Sequence, residues 1–286
     1  MFFHVAICLF DRITNGNFAT DQQFPYAVSI QQQGTEQNVS LLHRCGGVLI
    51  TFQHVLTTAS CTYNTVNGTN VPIVANEYRV FAGSAVLTNN NSANQVRTIT
   101  NYTVHPQYLG APSMLNDIAV ITLASPFPNT AVVPLGLPVA NFIPEEHTEC
   151  TVAGWGASAA GNNASSQLRF ATNYIYNQAL CTTLHNSIVG VANILPSMIC
   201  AASYDITSVG CTGDEGNALV CNGQLTGILS ITNNCQATSY PEVYTRVSNY
   251  TTWVRSVTAG ASSVKPEVVF LGLFTLFQIV TIKIFS

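Results

Sequence analysis

Charged side chains are scarce in this chain. Asp, Glu, Lys and Arg together form 8% of its 286 residues, Lys and Arg number only nine, and the net charge is −4. A surface with so few cations offers no basic patch to nucleic acid or to an anionic membrane surface. We therefore expect no nucleic-acid partner, and no residue pattern points to a cofactor or a metal.

Long helical periods and internal repeats are also lacking. Between Phe24 and Val247, short apolar runs alternate with turn residues, at 26–30, 47–50, 78–81, 118–123, 219–220 and 226–229. Many short strands separated by turns predict an all-β fold, either a sandwich or a pair of barrels. The Asn-rich segments 64–70 and 88–94 are predicted to be loops.

Cysteine, by contrast, is abundant. Nine cysteines are many for a cytosolic protein of this length, and Cys8 near the amino end leaves eight for the folded part. Six Asn-x-Ser/Thr triplets, which can accept N-glycans in secreted proteins, begin at Asn38, Asn67, Asn90, Asn101, Asn163 and Asn249. Both features favour an oxidising, extracellular location, and the cysteines weigh more than the triplets.

One glycine-rich stretch organises the chain. Residues 210–221 read Gly-Cys-Thr-Gly-Asp-Glu-Gly-Asn-Ala-Leu-Val-Cys, a turn between two cysteines with Asp214 before its apex. Such a turn can present backbone N–H groups to a developing oxyanion, so Gly213, Asp214 and Glu215 are predicted to form an oxyanion turn.

Several further blocks occur in a fixed order. They are His-Arg-Cys-Gly-Gly at 43–47, Leu-Thr-Thr-Ala-Ser-Cys at 56–61, Val-His-Pro-Gln-Tyr at 104–108, Asn-Asp-Ile-Ala-Val at 116–120, Val-Ala-Gly-Trp-Gly at 152–156 and Pro-Glu-Val-Tyr-Thr-Arg-Val at 241–247. With the turn, these blocks resemble the trypsin- and chymotrypsin-like serine proteases over residues 13–258. The resemblance implies two six-stranded antiparallel Greek-key barrels, roughly 13–130 and 131–248, and a short closing helix at 249–258.

The resemblance also assigns roles to the site residues. Asp117 stands where the family carries the acid of its catalytic triad, Ser60 replaces the catalytic histidine, and Glu215 replaces the nucleophilic serine. Because a triad acts as a unit, the loss of two members predicts that peptide hydrolysis by the usual route is absent. His43, His54 and His105 are expected to have structural or exposed roles rather than to replace the missing base.

The specificity pocket and the disulfides follow from the same resemblance. The pocket positions are Val209, Ser230, Thr232 and Glu242. We expect the Glu242 carboxylate to reach water and close the pocket; the alternative is that it awaits a basic partner. The eight cysteines can pair in about 105 ways. The family pattern selects Cys45–Cys61, Cys150–Cys221, Cys181–Cys200 and Cys211–Cys235.

Both ends of the chain carry processing signals. Residues 1–12 are an apolar signal remnant that ends at Arg12. Residues 12–16 resemble the activation junction of the same family, which implies that cleavage before Ile13 would free an ammonium group that buries itself against Asp214. The alternative is an uncleaved surface loop. Residues 259–286 form a small, polar spacer and a hydrophobic tail. We expect the apolar run 268–285 to tether the protein to a membrane, as a span or as a GPI signal with attachment at 260–262, rather than to be an appendage or a gene-model artefact.

These features predict a monomeric, non-catalytic serine protease homologue, secreted or surface-tethered, that binds a protease, a protease substrate or an inhibitor. Two alternatives remain open. The first is a hydrolase with unorthodox catalytic groups, for example an Asp117–Glu215 carboxylate pair of the kind used by glycosidases. The second is a glycosylated surface component with no partner in its groove.

Overall fold

Antiparallel strands form most of the structure. The computed structural model describes residues 16–34, 42–88, 95–187, 193–204, 210–233, 235–236 and 240–260. The strands are β1 (Asn17–Phe18), β2 (Ala27–Gln32), β3 (His43–Thr51), β4 (His54–Thr57), β5 (Tyr63–Val66), β6 (Thr69–Pro72), β7 (Tyr78–Ala82), β8 (Val96–Val104), β9 (Ala119–Leu123), β10 (Glu149–Gly154), β11 (Arg169–Ile175), β12 (Met198–Ala202), β13 (Ala218–Cys221), β14 (Gln224–Ile231) and β15 (Glu242–Arg246). The α-helices in these ranges are α1 (Gln178–Asn186) and α2 (Thr251–Gly260).

The first barrel closes in the order β2-β3-β4-β9-β8-β7. Side chains alternate across each strand, so Val28 and Ile30 of β2 point to the same core as Leu49 and Val55, and all four are at most 1% exposed. Gly47 pairs with Val28, and a Cβ atom at Gly47 would lie 2.7 Å from the Val55 side chain. The glycine therefore lets neighbouring strands approach closely where the barrel curves.

The second barrel has the strand order β11-β10-β13-β14-β15-β12, and the pairing of β11 with β12 closes it. The short strand β1 pairs with the first residues of β11. All pairings are antiparallel. The predicted all-β fold of two six-stranded barrels is therefore confirmed. The six apolar runs that predicted strands all fall on strands, at most one residue outside their bounds.

Residues 64–70 depart from the prediction of a loop. They form most of the two-stranded hairpin β5–β6, in which Asn67 and Gly68 make the turn with φ values of 50° and 77°. Asn-Gly is a strong signal for such a hairpin, and the loop prediction was wrong because it rested on composition alone. The second predicted loop, 88–94, lies outside the described residues except for Thr88.

The closing helix α2 packs on the first barrel. Val254 is fully buried with Val48 and Ile118, and the Trp253 ring lies 5.0 Å from the ring of His105. α2 begins two residues later than the predicted helix 249–258 and ends two residues later. Helix α1, which Asn177 caps by accepting from the Leu180 N–H, had not been predicted.

Four disulfides fix the parts that carry the site. Cys45–Cys61, Cys150–Cys221, Cys181–Cys200 and Cys211–Cys235 are bonded, so the pairing implied by the resemblance is confirmed. Cys45–Cys61 ties β3 to the 3-10 turn at Ser60–Thr62, and Cys211–Cys235 anchors the glycine-rich turn. Disulfides at this density are typical of extracellular proteins.

Within the described ranges, no helix has the length and apolar character needed to cross a membrane. The predicted signal remnant, the junction at Arg12 and Ile13, the apolar run 268–285 and the pocket residue Val209 lie outside the described residues.

Candidate functional site

Asp117 is the centre of a buried hydrogen-bond network between the barrels. Its carboxylate accepts from the Ser60 N–H at 2.8 Å, the Ser60 hydroxyl at 3.2 Å and the Ser230 hydroxyl at 2.6 Å. Burial raises its pKa to about 6, although these hydrogen bonds favour the charged form. The structure thus joins Ser60 to Asp117, and it places the Ser230 hydroxyl on Asp117.

The oxyanion turn lies between β12 and β13. Gly213 and Gly216 have φ values of 94° and 90°, a backbone region that glycine enters without strain. The carboxylate of Asp214 accepts from the N–H of Gly156 at 2.9 Å, the N–H of Cys211 at 3.0 Å and the side-chain amide of Asn217 at 2.9 Å. Burial raises the pKa of Asp214 to about 7, and the nearby carboxylates add to this effect.

The carboxylate of Glu215 occupies a donor of this turn, because it accepts from the Gly213 N–H at 2.8 Å. The Thr232 hydroxyl and the Arg44 guanidinium favour its charged form, while burial raises its pKa. A backbone N–H group that could stabilise an external oxyanion is therefore bound to an internal one. The structure shows no hydrogen bond between Glu215 and Ser60.

The five described histidines all have partners elsewhere. These partners are Ser29 and Gly213 for His43, Thr51 for His54, Tyr250 and Trp253 for His105, Glu146 for His147, and Pro241 for His185. Within the described part of the chain, therefore, no imidazole contacts Ser60 or Asp117.

His43 holds the turn from behind. Its Nε2–H donates to the Gly213 carbonyl at 2.9 Å, and its Nδ1 accepts from the Ser29 hydroxyl at 2.7 Å. Burial lowers the pKa of His43 to about 4, so the ring is neutral near pH 7. Ser29 is fully buried and cannot reach a substrate. The expected structural role of His43 beside the turn is confirmed.

Glu242 fills space at the pocket. It is 3% exposed, and its carboxylate accepts from the Gly210 N–H, the Tyr244 hydroxyl at 2.8 Å and the Asn173 amide at 3.3 Å. A Cβ atom at Gly210 would lie 2.7 Å from Glu242 Oε1. The prediction that Glu242 reaches water was wrong, and three neutral donors take the place of a basic partner, while its closing of the pocket stays a prediction. Burial raises its pKa.

Sequence reasoning missed three residues of the site. Asn217 is a visible departure, since the family motif Gly-Asp-Ser-Gly-Gly-Pro has its last glycine at this position. Tyr244 lies in the recognised block 241–247, whereas Asn173 belongs to no motif. The described residues contain no group of three or more His, Cys, Asp or Glu side chains arranged to hold a metal ion.

Comparisons with known proteins identify relatives of the whole domain. A family profile described as trypsin matches residues 13–254. The chain is 31% identical to an alkaline trypsin C of Manduca sexta, over 85% of this chain and 90% of that protein, and 31% identical to a trypsin alpha-4 of Lucilia cuprina, over 88% and 89%. A structure of a mutant of human heparin binding protein matches with a TM-score of 0.70 and 28% identity, over 85% of this chain and 96% of that chain.

Proposed function

The chain belongs to the trypsin family, and we propose that it is a non-catalytic member, secreted or surface-tethered, that binds a protease, a protease substrate or an inhibitor through its groove. The observation that carries the proposal is the carboxylate of Glu215 on the Gly213 N–H, 2.8 Å away. The group that occupies this oxyanion donor is part of the chain itself.

The chemistry around this carboxylate supports the proposal. Acyl transfer on this fold needs a hydroxyl on the turn, a base beside it and an acid that orients the base. Only the acid, Asp117, has the residue type of the family. A serine hydroxyl at position 60 is far too weak a base near neutral pH, and its hydrogen bonds to Asp117 and Thr58 orient no proton acceptor towards the turn.

The retained scaffold supports a binding role. Glycines at 213 and 216, the Asp214 network and the Cys211–Cys235 disulfide maintain the turn even though its reactive residue is replaced. Heparin, which one structural neighbour is named for, is a poor candidate ligand here. A polyanion favours basic surfaces, and this chain has nine Lys and Arg against thirteen Asp and Glu.

Location is part of the proposal. The described glycosylation triplets begin at Asn67, Asn101, Asn163 and Asn249, and all four asparagines are exposed. Together with the disulfides, this supports secretion, and the apolar run 268–285 supports a tether. Mass spectrometry of both ends of the native protein tests this, because it detects signal removal, cleavage after Arg12 and lipid attachment.

An activity assay tests the absence of catalysis. Purified protein, intact or cleaved after Arg12, is incubated with mixed peptide substrates and with a fluorophosphonate probe that labels activated serines. We expect neither turnover nor labelling. Turnover that is lost in Glu215→Gln would overturn the proposal in favour of a hydrolase with unorthodox catalytic groups.

A binding assay tests the groove. A trypsin-like protease and a peptide-loop protease inhibitor are each passed over the immobilised protein. We expect saturable binding of one of them, weakened at least tenfold, about 1.4 kcal/mol, by Thr232→Arg beside Glu215. The matched control Val139→Arg, at a side chain 72% exposed, should leave binding unchanged. Absence of binding to both probes would favour the glycosylated surface component.

A further inference from the structure

The side chain of Asn217 lies in a slot between the two barrels. Its Nδ2 donates to Asp214 Oδ1 at 2.9 Å, and the residue is 2% exposed. Gly46 of β3 and Gly154 of β10 border the slot. A Cβ atom at Gly154 would lie 1.9 Å from Asn217 Nδ2, and a Cβ atom at Gly46 would lie 1.7 Å from Asn217 Oδ1. The slot exists because both neighbours lack a side chain.

The backbone of Asn217 holds the amide in place. Its N–H donates to the Asp214 carbonyl at 3.0 Å, and its carbonyl accepts from the Leu229 N–H at 2.9 Å. Asn217 is thus bonded to the turn on one side and to β14 on the other. A donor fixed in this way loses little conformational entropy when it binds the carboxylate.

All donors to Asp214 in the described part of the chain are neutral. They are the N–H groups of Gly156 and Cys211 and the amide of Asn217. Among the described residues, no Lys or Arg side chain forms an ion pair with this carboxylate within 4.0 Å. Three hydrogen bonds satisfy a buried carboxyl group without a cation.

We propose that Asn217 is the positioning residue of the oxyanion turn. Its amide donates to Asp214 in place of the ammonium group that cleavage before Ile13 would free. The turn is then formed before any cleavage after Arg12. Burial raises the pKa of Asp214 to about 7 and the N–H groups of Cys211 and Gly156 offset this rise only in part, whereas an ammonium partner would lower the pKa further. The same arrangement keeps the Gly213 N–H directed at Glu215 in the intact chain.

The contact between Asn217 and Asp214 governs the state of the turn whether or not the protein is catalytic. A family member that needs cleavage has two states of its turn, and a chain that carries its own donor has one. Cleavage after Arg12, if it occurs, should leave the groove unchanged.

Hydrogen exchange measured by mass spectrometry tests the proposal without any change inside the fold. The uncleavable variant Arg12→Gln is compared with wild-type protein cut after Arg12, whose new terminus is verified by intact mass. We expect the amides of Gly156, Cys211 and Gly213 to exchange at rates equal within about twofold. Protection that increases about tenfold or more on cleavage would overturn the proposal.

A variant series then tests Asn217 itself in the Arg12→Gln background. Asn217→Ala should accelerate exchange at Gly156 and Cys211 by about tenfold, and Asn217→Ser, which keeps a shorter donor, should recover part of the protection. Asn64→Ala, which removes a hydrogen bond to Tyr78 in the first barrel, is the matched control and should leave these amides unchanged.

Two further comparisons distinguish positioning from packing. In Asn217→Ala, cleavage after Arg12 should slow exchange again, because an ammonium group can then occupy the emptied slot. In the Asp214→Ala background, which removes the acceptor of the Asn217 amide, Asn217→Ala should have a much smaller effect than in the presence of Asp214. Equal effects of Asn217→Ala in both backgrounds would show that the residue only fills space, and would refute the positioning role.

Discussion

The buried carboxyl of Asp214 should make this protein less stable as the pH rises. Its pKa is about 7 in the folded protein against an ordinary value of 3.8, so between these values the folded state binds a proton that the unfolded state has released. The free energy of unfolding therefore falls with rising pH in this range. Between pH 4.5 and 8 the loss from Asp214 alone amounts to about 3 kcal/mol.

Two other buried groups nearly cancel each other. Asp117, with a pKa of about 6, has the same sign as Asp214 and contributes a loss of about 2 kcal/mol between pH 4 and 6. His43 has a pKa of about 4 against an ordinary value of 6.5, so it is neutral in the folded protein in most of this range but protonated when unfolded, and stability rises by about 2 kcal/mol between pH 4 and 6. Glu215 and Glu242 act in the direction of Asp214, and His54 and His105 in the direction of His43.

A single variant isolates the Asp214 contribution. Urea unfolding of Arg12→Gln protein, with and without Asp214→Asn, is followed by tryptophan fluorescence at several pH values. In Asp214→Asn, the side-chain NH2 faces the Cys211 N–H, so two donors meet and one hydrogen bond is lost. This loss lowers the free energy of unfolding by the same amount at every pH. The stability difference between the two proteins should shift by about 3 kcal/mol in favour of the variant from pH 4.5 to 8. If the difference in unfolding free energy between the two proteins is constant from pH 4.5 to 8, or shifts in favour of the native aspartate, Asp214 does not have neutral donors as its only partners.

Three further substitutions test other contacts, each by urea unfolding. Ser230→Ala removes the 2.6 Å hydrogen bond to the buried aspartate and should cost about 1–3 kcal/mol; an unchanged midpoint would contradict this. Tyr244→Phe removes a donor from Glu242 and should cost about 2 kcal/mol, more at pH 8 than at pH 5 because the charged form loses the bond. Gly154→Ala should cost about 3 kcal/mol, as in an overpacked core, because its new Cβ atom would meet Asn217. The control Gly136→Ala, whose Cβ atom would have nothing within 4 Å, should change stability by less than about 0.5 kcal/mol. Similar effects of both substitutions would count against the packing argument.

The fold was accessible from the sequence because its signals are local or carried by whole blocks. Short apolar runs between turn residues located strands of both barrels, and the resemblance to the family selected one cysteine pairing. The hairpin at 64–70 was missed although Asn67-Gly68 is a strong local signal, because asparagine content was taken as evidence for a loop.

The site was accessible only in part. Ser60 and Asp117 were matched to family positions, and they do lie together. The slot of Asn217 could not be predicted, since it depends on two glycines in different barrels, at 46 and 154, whose proximity exists only after both barrels have closed. The partners of Glu242 pose the same difficulty: Asn173 lies 69 residues away in the chain and matches no motif.

The hairpin β5–β6 has a practical consequence. From Thr65 to Pro72 every residue is exposed, and the strands bond to each other across an Asn-Gly turn. Its base is fixed by the Cys45–Cys61 disulfide and by the Ile73 N–H on the Thr62 carbonyl, so the two barrels do not depend on the length of its tip. An affinity tag or a fluorophore-binding peptide spliced between Asn67 and Gly68 should leave the rest of the molecule intact, and it would offer a means to label this protein at a distance from Asp117 and Asp214.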